Sequence, residues 1–181
     1  MRTGFSHKRL HALAECASLL IIALALSYLE AILPLNAAIP VPGVKLGLAN
    51  LAVLVTAHRH GVPAAAAVSV SRVILSALLF GSVSSMVFSL SGALCSMLTL
   101  AILFPFRGRV FSYIGLSAAC AAAHSTGQIL CAVLWMHENA LFGYLPVLLI
   151  LAVLSGTLTG AGANLLADRL PKPNTEKGDI L

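Results

Sequence analysis

The sequence predicts an all-α integral membrane protein, a bundle of six transmembrane helices with both its N- and C-termini cytoplasmic. Three observations carry this prediction. Of the 181 residues, 59% are apolar and only 9% charged, and the mean hydropathy is +0.98; a soluble domain runs near half apolar and about a quarter charged. The apolar residues gather into six segments separated by short polar or proline-containing pieces. The basic residues fall almost entirely in alternate pieces. This composition excludes an ordinary water-soluble globule, and excludes disorder more firmly. At this length it also leaves no room for a separate soluble catalytic domain.

Taken in order, the first segment, 10–33, follows a basic start. It is longer than the apolar stretch of a signal peptide and no convincing cleavage site follows, so it reads as a retained first helix. The second, 44–58, is short and begins directly after Pro40-Val41-Pro42-Gly43, which predicts an irregular outer end held by neighbouring helices. Gly61 and Pro63 signal a helix stop and a fresh start, opening the third segment, 62–80. The fourth, 84–105, closes on Pro105; the fifth is 111–136; the sixth, 141–167, carries Pro146 early in its course. Most of these reach the ~20 residues needed to cross a hydrocarbon core of ~30 Å. Residues 1–170 thus read as a single transmembrane domain, and 171–181 as a polar cytoplasmic tail.

Orientation follows from the basic residues. With the N-terminus inside, the cytoplasmic pieces hold Arg2, Lys8 and Arg9, then Arg59, then Arg107 and Arg109, then Arg169, Lys172 and Lys177, nine of the eleven in the chain. Only Lys45 falls outside, and Arg72 lies within a helix. This is the positive-inside pattern of a multi-pass protein of the cytoplasmic (inner) membrane. It accounts for the net charge of +5 better than a nucleic-acid partner would, because the charges form no single surface.

Small residues recur at helical spacing. Ala14 and Ser18, then Ala23, Ser27 and Ala31, mark the first segment; Ser85, Ser89 and Ala93 the fourth; Ala152, Gly156, Gly160 and Asn164 the sixth. Such stripes let helices approach closely in lipid. They serve packing within this chain or docking to a partner membrane subunit, for which Ala14, Ser18, Ala23 and Ser27 are the candidates. Cys16, Cys95, Cys120 and Cys131 sit inside apolar stretches without ligand-like spacing and read as small packing residues, so no metal or cofactor is expected.

With so few charges, each polar group inside the membrane is informative. A mid-bilayer arginine costs several kcal/mol unless it is paired or faces water. Arg72, ~12 Å below the outer end of its helix, therefore marks a functional site, a salt bridge with Glu30, or both. Gln128 lies at a similar ~12 Å depth in the fifth helix. His124 is one turn deeper on the same face, Asn50 is roughly 6–9 Å below the outer end of the second helix, and Glu30 is nearer the outer surface. With Lys45 at the mouth, these groups suit an outward-open pocket for a small polar or anionic ligand, or else a hydrogen-bonded network that only holds the bundle. Glu15, near the inner end of the first helix, is expected to be interfacial or paired with Lys8 or Arg9, and His137, Glu138 and Asn139 to form an exposed turn.

The same residues carry a resemblance. Pro40-Val41-Pro42-Gly43-Val44-Lys45-Leu46-Gly47-Leu48-Ala49-Asn50, then Arg72-Val73-Ile74-Leu75 with Leu79-Phe80-Gly81, and Ala123-His124-Ser125-Thr126-Gly127-Gln128 resemble the Gx transporter family, whose members are often labelled heptaprenyl diphosphate synthase component I. That family usually has Asn where Ser125 stands here. It is similar in turn to the substrate-binding S components of energy-coupling-factor (ECF) transporters. The resemblance implies a six-helix architecture, an outward-side ligand site and a first helix that docks a membrane coupling subunit working with ATPases.

The label can be set against chemistry. A prenyl diphosphate synthase gathers several carboxylates around Mg²⁺ and diphosphate. Here the six acidic residues are Glu15, Glu30, Glu138, Asp168, Glu176 and Asp179, with no aspartate-rich run, and there is no Walker motif. No catalytic residues are expected. The sequence therefore leaves two roles, a substrate-binding subunit of an ECF-type importer for a small vitamin or precursor, or a non-catalytic membrane component associated with a soluble polyprenyl diphosphate synthase.

Overall fold

The computed structural model describes residues 4–32 and 47–169. They form six α-helices: α1 (Gly4–Ile32), α2 (Asn50–His60), α3 (Val62–Phe80), α4 (Val83–Leu103), α5 (Tyr113–Met136) and α6 (Leu145–Arg169). Five apolar stretches are long enough to cross a membrane, one in each of α1, α3, α4, α5 and α6. The chain is a helical membrane protein.

The second helix departs from expectation. Gly47 adopts φ +77°, a left-handed conformation that ends helical propagation and suits a residue without Cβ. Gly47, Leu48 and Ala49 therefore form a turn, closed by Asn50 N donating to Gly47 O (2.9 Å) and Leu51 N to Leu48 O (3.1 Å). The helix begins at Asn50 rather than at 44. Its 11 residues span only ~16 Å, about half the hydrocarbon thickness, so the expected six spans become five among the described residues. Asn50 is the first residue of α2, not one buried a turn or more inside it.

The other boundaries follow from local chemistry. Gly61, at φ +84°, ends α2 and turns the chain directly into α3, with Pro63 in the first helical turn where no N–H is needed. Ser82 and Ser112 cap α4 and α5 by accepting from Ser85 N and Gly115 N, each at 3.2 Å. Pro105 tightens the end of α4 into the 3₁₀ turn Phe104–Phe106. The sixth helix starts at Leu145, later than 141, because Asn139–Tyr144 is a 3₁₀ turn and Pro146 favours a helix start at this point. His137, Glu138 and Asn139 are exposed, with Glu138 accepting from Ala140 N.

In space α3, α4, α5 and α6 pack each against the next, while α2 lies against α1, α3, α5 and α6. Residues Ala52, Val53, Leu54, Val55, Thr56 and Ala57 of α2 are all buried, so this short helix is the axis of the bundle. Helices α5 and α6 approach closely. A Cβ at Gly160 would lie 2.6 Å from Ile114 Cα, and one at Gly156 2.7 Å from Ala118 Cα. Packing within the chain thus takes up Gly156 and Gly160 of the α6 stripe, whereas Asn164 is exposed.

The bundle is apolar outside and partly polar inside. Leu13, Ile21, Leu78, Leu98, Leu134 and Leu158 are among many large side chains turned outward, whereas Ser27, Ser69, Ser96, Ser117, Ser155 and Thr159 are buried. Lipid is as apolar as leucine, so greasy side chains cost nothing at the surface, and small hydroxyls let helices meet closely. Several interior hydroxyls donate to a carbonyl one turn back, as Thr56 does to Ala52 O at 2.7 Å and Thr159 to Ser155 O at 3.0 Å.

Candidate functional site

A cavity lies where α1 ends and α2 begins, and all six helices contribute to its wall. Glu30 comes from α1, Asn50 with Gly47 from the start of α2, Arg72 and Val73 from α3, and Ser89 from α4. Ala121, His124 and Ser125 come from α5, and Ala152 and Ser155 from α6. Four of the six residues expected to bind ligand, Glu30, Asn50, Arg72 and His124, therefore border one space. Gln128 lies one turn farther along α5 than His124, beside Gly92 of α4, where an added Cβ would fall 2.7 Å from Gln128 Cγ and 3.0 Å from His124 Cε1; it is not part of the cavity wall. Lys45 lies outside the described residues.

The local structure explains why these side chains face inward. On α1, Ala23, Ser27 and Glu30 fall at helical spacing and are all buried, forming the stripe that packs on α3. Arg72 projects from α3 into that contact, and its Nη1 donates to Ser27 Oγ at 3.3 Å. Glu30 accepts from the backbone N–H of Leu48, which ties the end of α1 to the turn preceding α2. Ala14 and Ser18 of the same helix are exposed, so the four small residues weighed for partner docking divide, two facing outward and two already enclosed by this chain.

Two polar atoms in the wall stand out. Arg72 is only 5% exposed and its Nε has no hydrogen-bond partner among the described residues. Ser89 Oγ is in the same position: buried, without a partner, and without the back-bond to its own helix that other interior hydroxyls make. A buried donor left unmade costs about 1–3 kcal/mol. Two such donors in one polar wall, which also holds the Glu30 carboxylate, leave bonds open to a species that accepts them, such as water. The space open to the centre of a water molecule is ≈ 20 Å³, room for a water or two and well below the several hundred Å³ a vitamin-sized ligand occupies.

On the sequence Ser89 reads as part of a packing stripe and Gly47 as part of a family motif, and Ser155 carries no signal. A serine at helical spacing with other small residues looks like any helix contact, and only the tertiary arrangement separates it from its neighbours.

At the opposite end of α2 the polar residues divide between two partners. Glu15 of α1 receives Arg59 Nη2 at 2.8 Å and Arg59 Nε at 3.2 Å, and lies 2.9 Å from His60 Nε2. It thus pairs across to α2, with Arg59 and His60. His58 turns the other way, its Nδ1 2.6 Å from Tyr113 Oη at the start of α5.

The model of the heptaprenyl diphosphate synthase component I family matches residues 19–166. The chain belongs to that family. The resemblance seen around Lys45, Arg72 and His124 is thereby confirmed, and the region matched by the component I family includes every residue of the cavity wall. No curated protein and no solved structure matches the chain.

Proposed function

We propose that this chain is the ligand-binding membrane subunit of an importer, similar to the S components of ECF transporters, and that it takes a small anionic vitamin or precursor. The observation that carries the reading is the buried Arg72 guanidinium in a cavity shared by six helices, with a second orphaned donor, Ser89 Oγ, beside it. A guanidinium holds a carboxylate or phosphate through directed, charge-assisted hydrogen bonds. Asn50, His124 and Ser125 would supply the neutral contacts that select among anions. Glu30 accepts from Leu48 N at the head of α2 and keeps that helix start in register with the cavity. Because the cavity is water-sized, ligand entry requires the residues above it to move apart. With both termini in the cytoplasm the site faces the outer half of the inner membrane, and transport would draw energy from separate ATPase subunits through a membrane coupling subunit.

The test is ligand copurification. Small molecules extracted from detergent-purified protein and identified by mass spectrometry should include one anion retained by the wild type and lost, with at least tenfold weaker binding, in Arg72→Ala. Unchanged affinity across Arg72→Ala, Asn50→Ala and His124→Ala would sink the assignment.

A second reading has one observation in its favour, the family's description as a component of heptaprenyl diphosphate synthase. In it the chain is a non-catalytic membrane partner of a soluble, aspartate-rich polyprenyl synthase, as expected of a chain without an aspartate-rich run of its own. Pulldown from native membranes separates the two: a soluble synthase supports this reading, a coupling subunit with ATPases the first.

A further inference from the structure

The end of the bundle away from the cavity holds a second pair of orphaned polar atoms. His58 Nε2 and Arg107 Nη1 are both buried and have no hydrogen-bond partner among the described residues. They border the same short connection. Arg107 lies in the α4–α5 link, and His58 is joined through its Nδ1 to Tyr113, the first residue of α5. The charge of Arg107 is near enough to disfavour protonation of the His58 imidazole.

Both groups are held in place. The Arg107 guanidinium lies over the Phe104 ring, 4.1 Å from its centroid, and its backbone is fixed by Arg107 N donating to Phe104 O at 3.2 Å and Gly108 N to Phe111 O at 2.9 Å. The His58 ring stands edge-on to Tyr113. Where Tyr113 Oη donates to Nδ1, the neutral imidazole carries its hydrogen on Nε2, and both orphaned atoms are then donors. Glu15 is engaged by Arg59 and His60. The adjacent N-terminus of α5 adds partial positive charge.

We propose that His58 and Arg107 form a binding site for a phosphate oxyanion, with His58 Nε2–H and Arg107 Nη1–H donating to it and Tyr113 fixing the tautomer. The phosphate is the headgroup of an anionic lipid or free inorganic phosphate. Basic pockets between helices at the membrane surface take lipid phosphates in this way, and a guanidinium matches a phosphate's geometry. The site is separate from the Arg72 cavity and does not depend on the transport reading.

The experiment uses the full chain in maltoside micelles, which contain no phosphate, with the His58 Nε2–H resonance followed by NMR. One arm adds inorganic phosphate; the other adds phosphatidylglycerol in phosphate-free buffer. A saturable shift in either arm, weakened at least tenfold in Arg107→Gln, is the expected result, and the responding arm identifies the source. No saturable shift of the wild type in both arms overturns the proposal, as does equal affinity in wild type and Arg107→Gln. Tyr113→Phe provides a second variant should Arg107→Gln not fold. It retains the ring packing but frees Nδ1, so several-fold weaker binding is expected, and unchanged affinity counts against the site.

Discussion

Ser89 and His58 illustrate how much a single residue's environment decides. The Ser89 hydroxyl is buried without a partner, so its removal relieves a desolvated group. Ser89→Ala should leave the ligand-free protein as stable as the wild type or more stable by about 1 kcal/mol, while weakening ligand binding; thermal melts with and without ligand would show the opposite signs. His58 sits in the last turn of α2, outside the five apolar spans. Burial first, and then the charges of Arg107 and Arg59, hold its pKa below the ordinary 6.5. The folded chain therefore keeps His58 neutral, whereas the unfolded chain takes up a proton more readily. Its contribution to stability is complete above pH 6.5 and is lost as the pH falls below that value. Melting temperature in detergent should drop on acidification over this range, and His58→Gln should flatten the drop. Neither behaviour can be read from the sequence, where Ser89 is one small residue among many and His58 one of three consecutive basic positions.

Among the elements, α2 and α6 carry most of what the fold contributes to function. The apolar run that marks α2 cannot reveal where the helix starts, because the residues before Asn50 are nearly as apolar as those after it. The left-handed Gly47 decides it, and by shortening α2 it sets Asn50 at the head of a central helix, beside Arg72 and Glu30. The α6 stripe, by contrast, was legible as a packing feature from its spacing alone; what needed the structure was its partner, α5. Gly160→Ala would put a methyl 2.6 Å from Ile114 Cα and 2.8 Å from Tyr113 O, backbone that cannot give way as a side chain can. A loss of about 1–3 kcal/mol is expected, seen as a lower melting temperature. Gly143, with open space around it, should accept alanine with little change.

For the whole molecule, the proposed orientation makes the sharpest prediction. Cysteine introduced at Glu138 should react with an impermeant maleimide added to intact cells, and cysteine at Arg109 only after the cells are permeabilised; both positions are exposed, and the native cysteines would first be replaced by alanine. The reverse pattern would invert the topology and move the Arg72 cavity to the cytoplasmic half. The sequence by itself determined the solvent and the family, because the excess of apolar residues over charged ones and the motifs around Lys45, Arg72 and His124 are properties of the chain in any conformation. It also determined which polar groups deserved scrutiny, since a buried arginine in an apolar segment is costly wherever it points. Only the tertiary structure decided that Glu30, Asn50, Arg72 and His124 share one wall with Ser89, that Gln128 lies beyond it, and that Glu15 reaches across to Arg59 of α2. Those are relations between helices. Helical periodicity fixes the face of a residue along one axis, but the rotation and depth of each helix against the others are set by packing, by the close approach of α5 and α6 and by the short central α2.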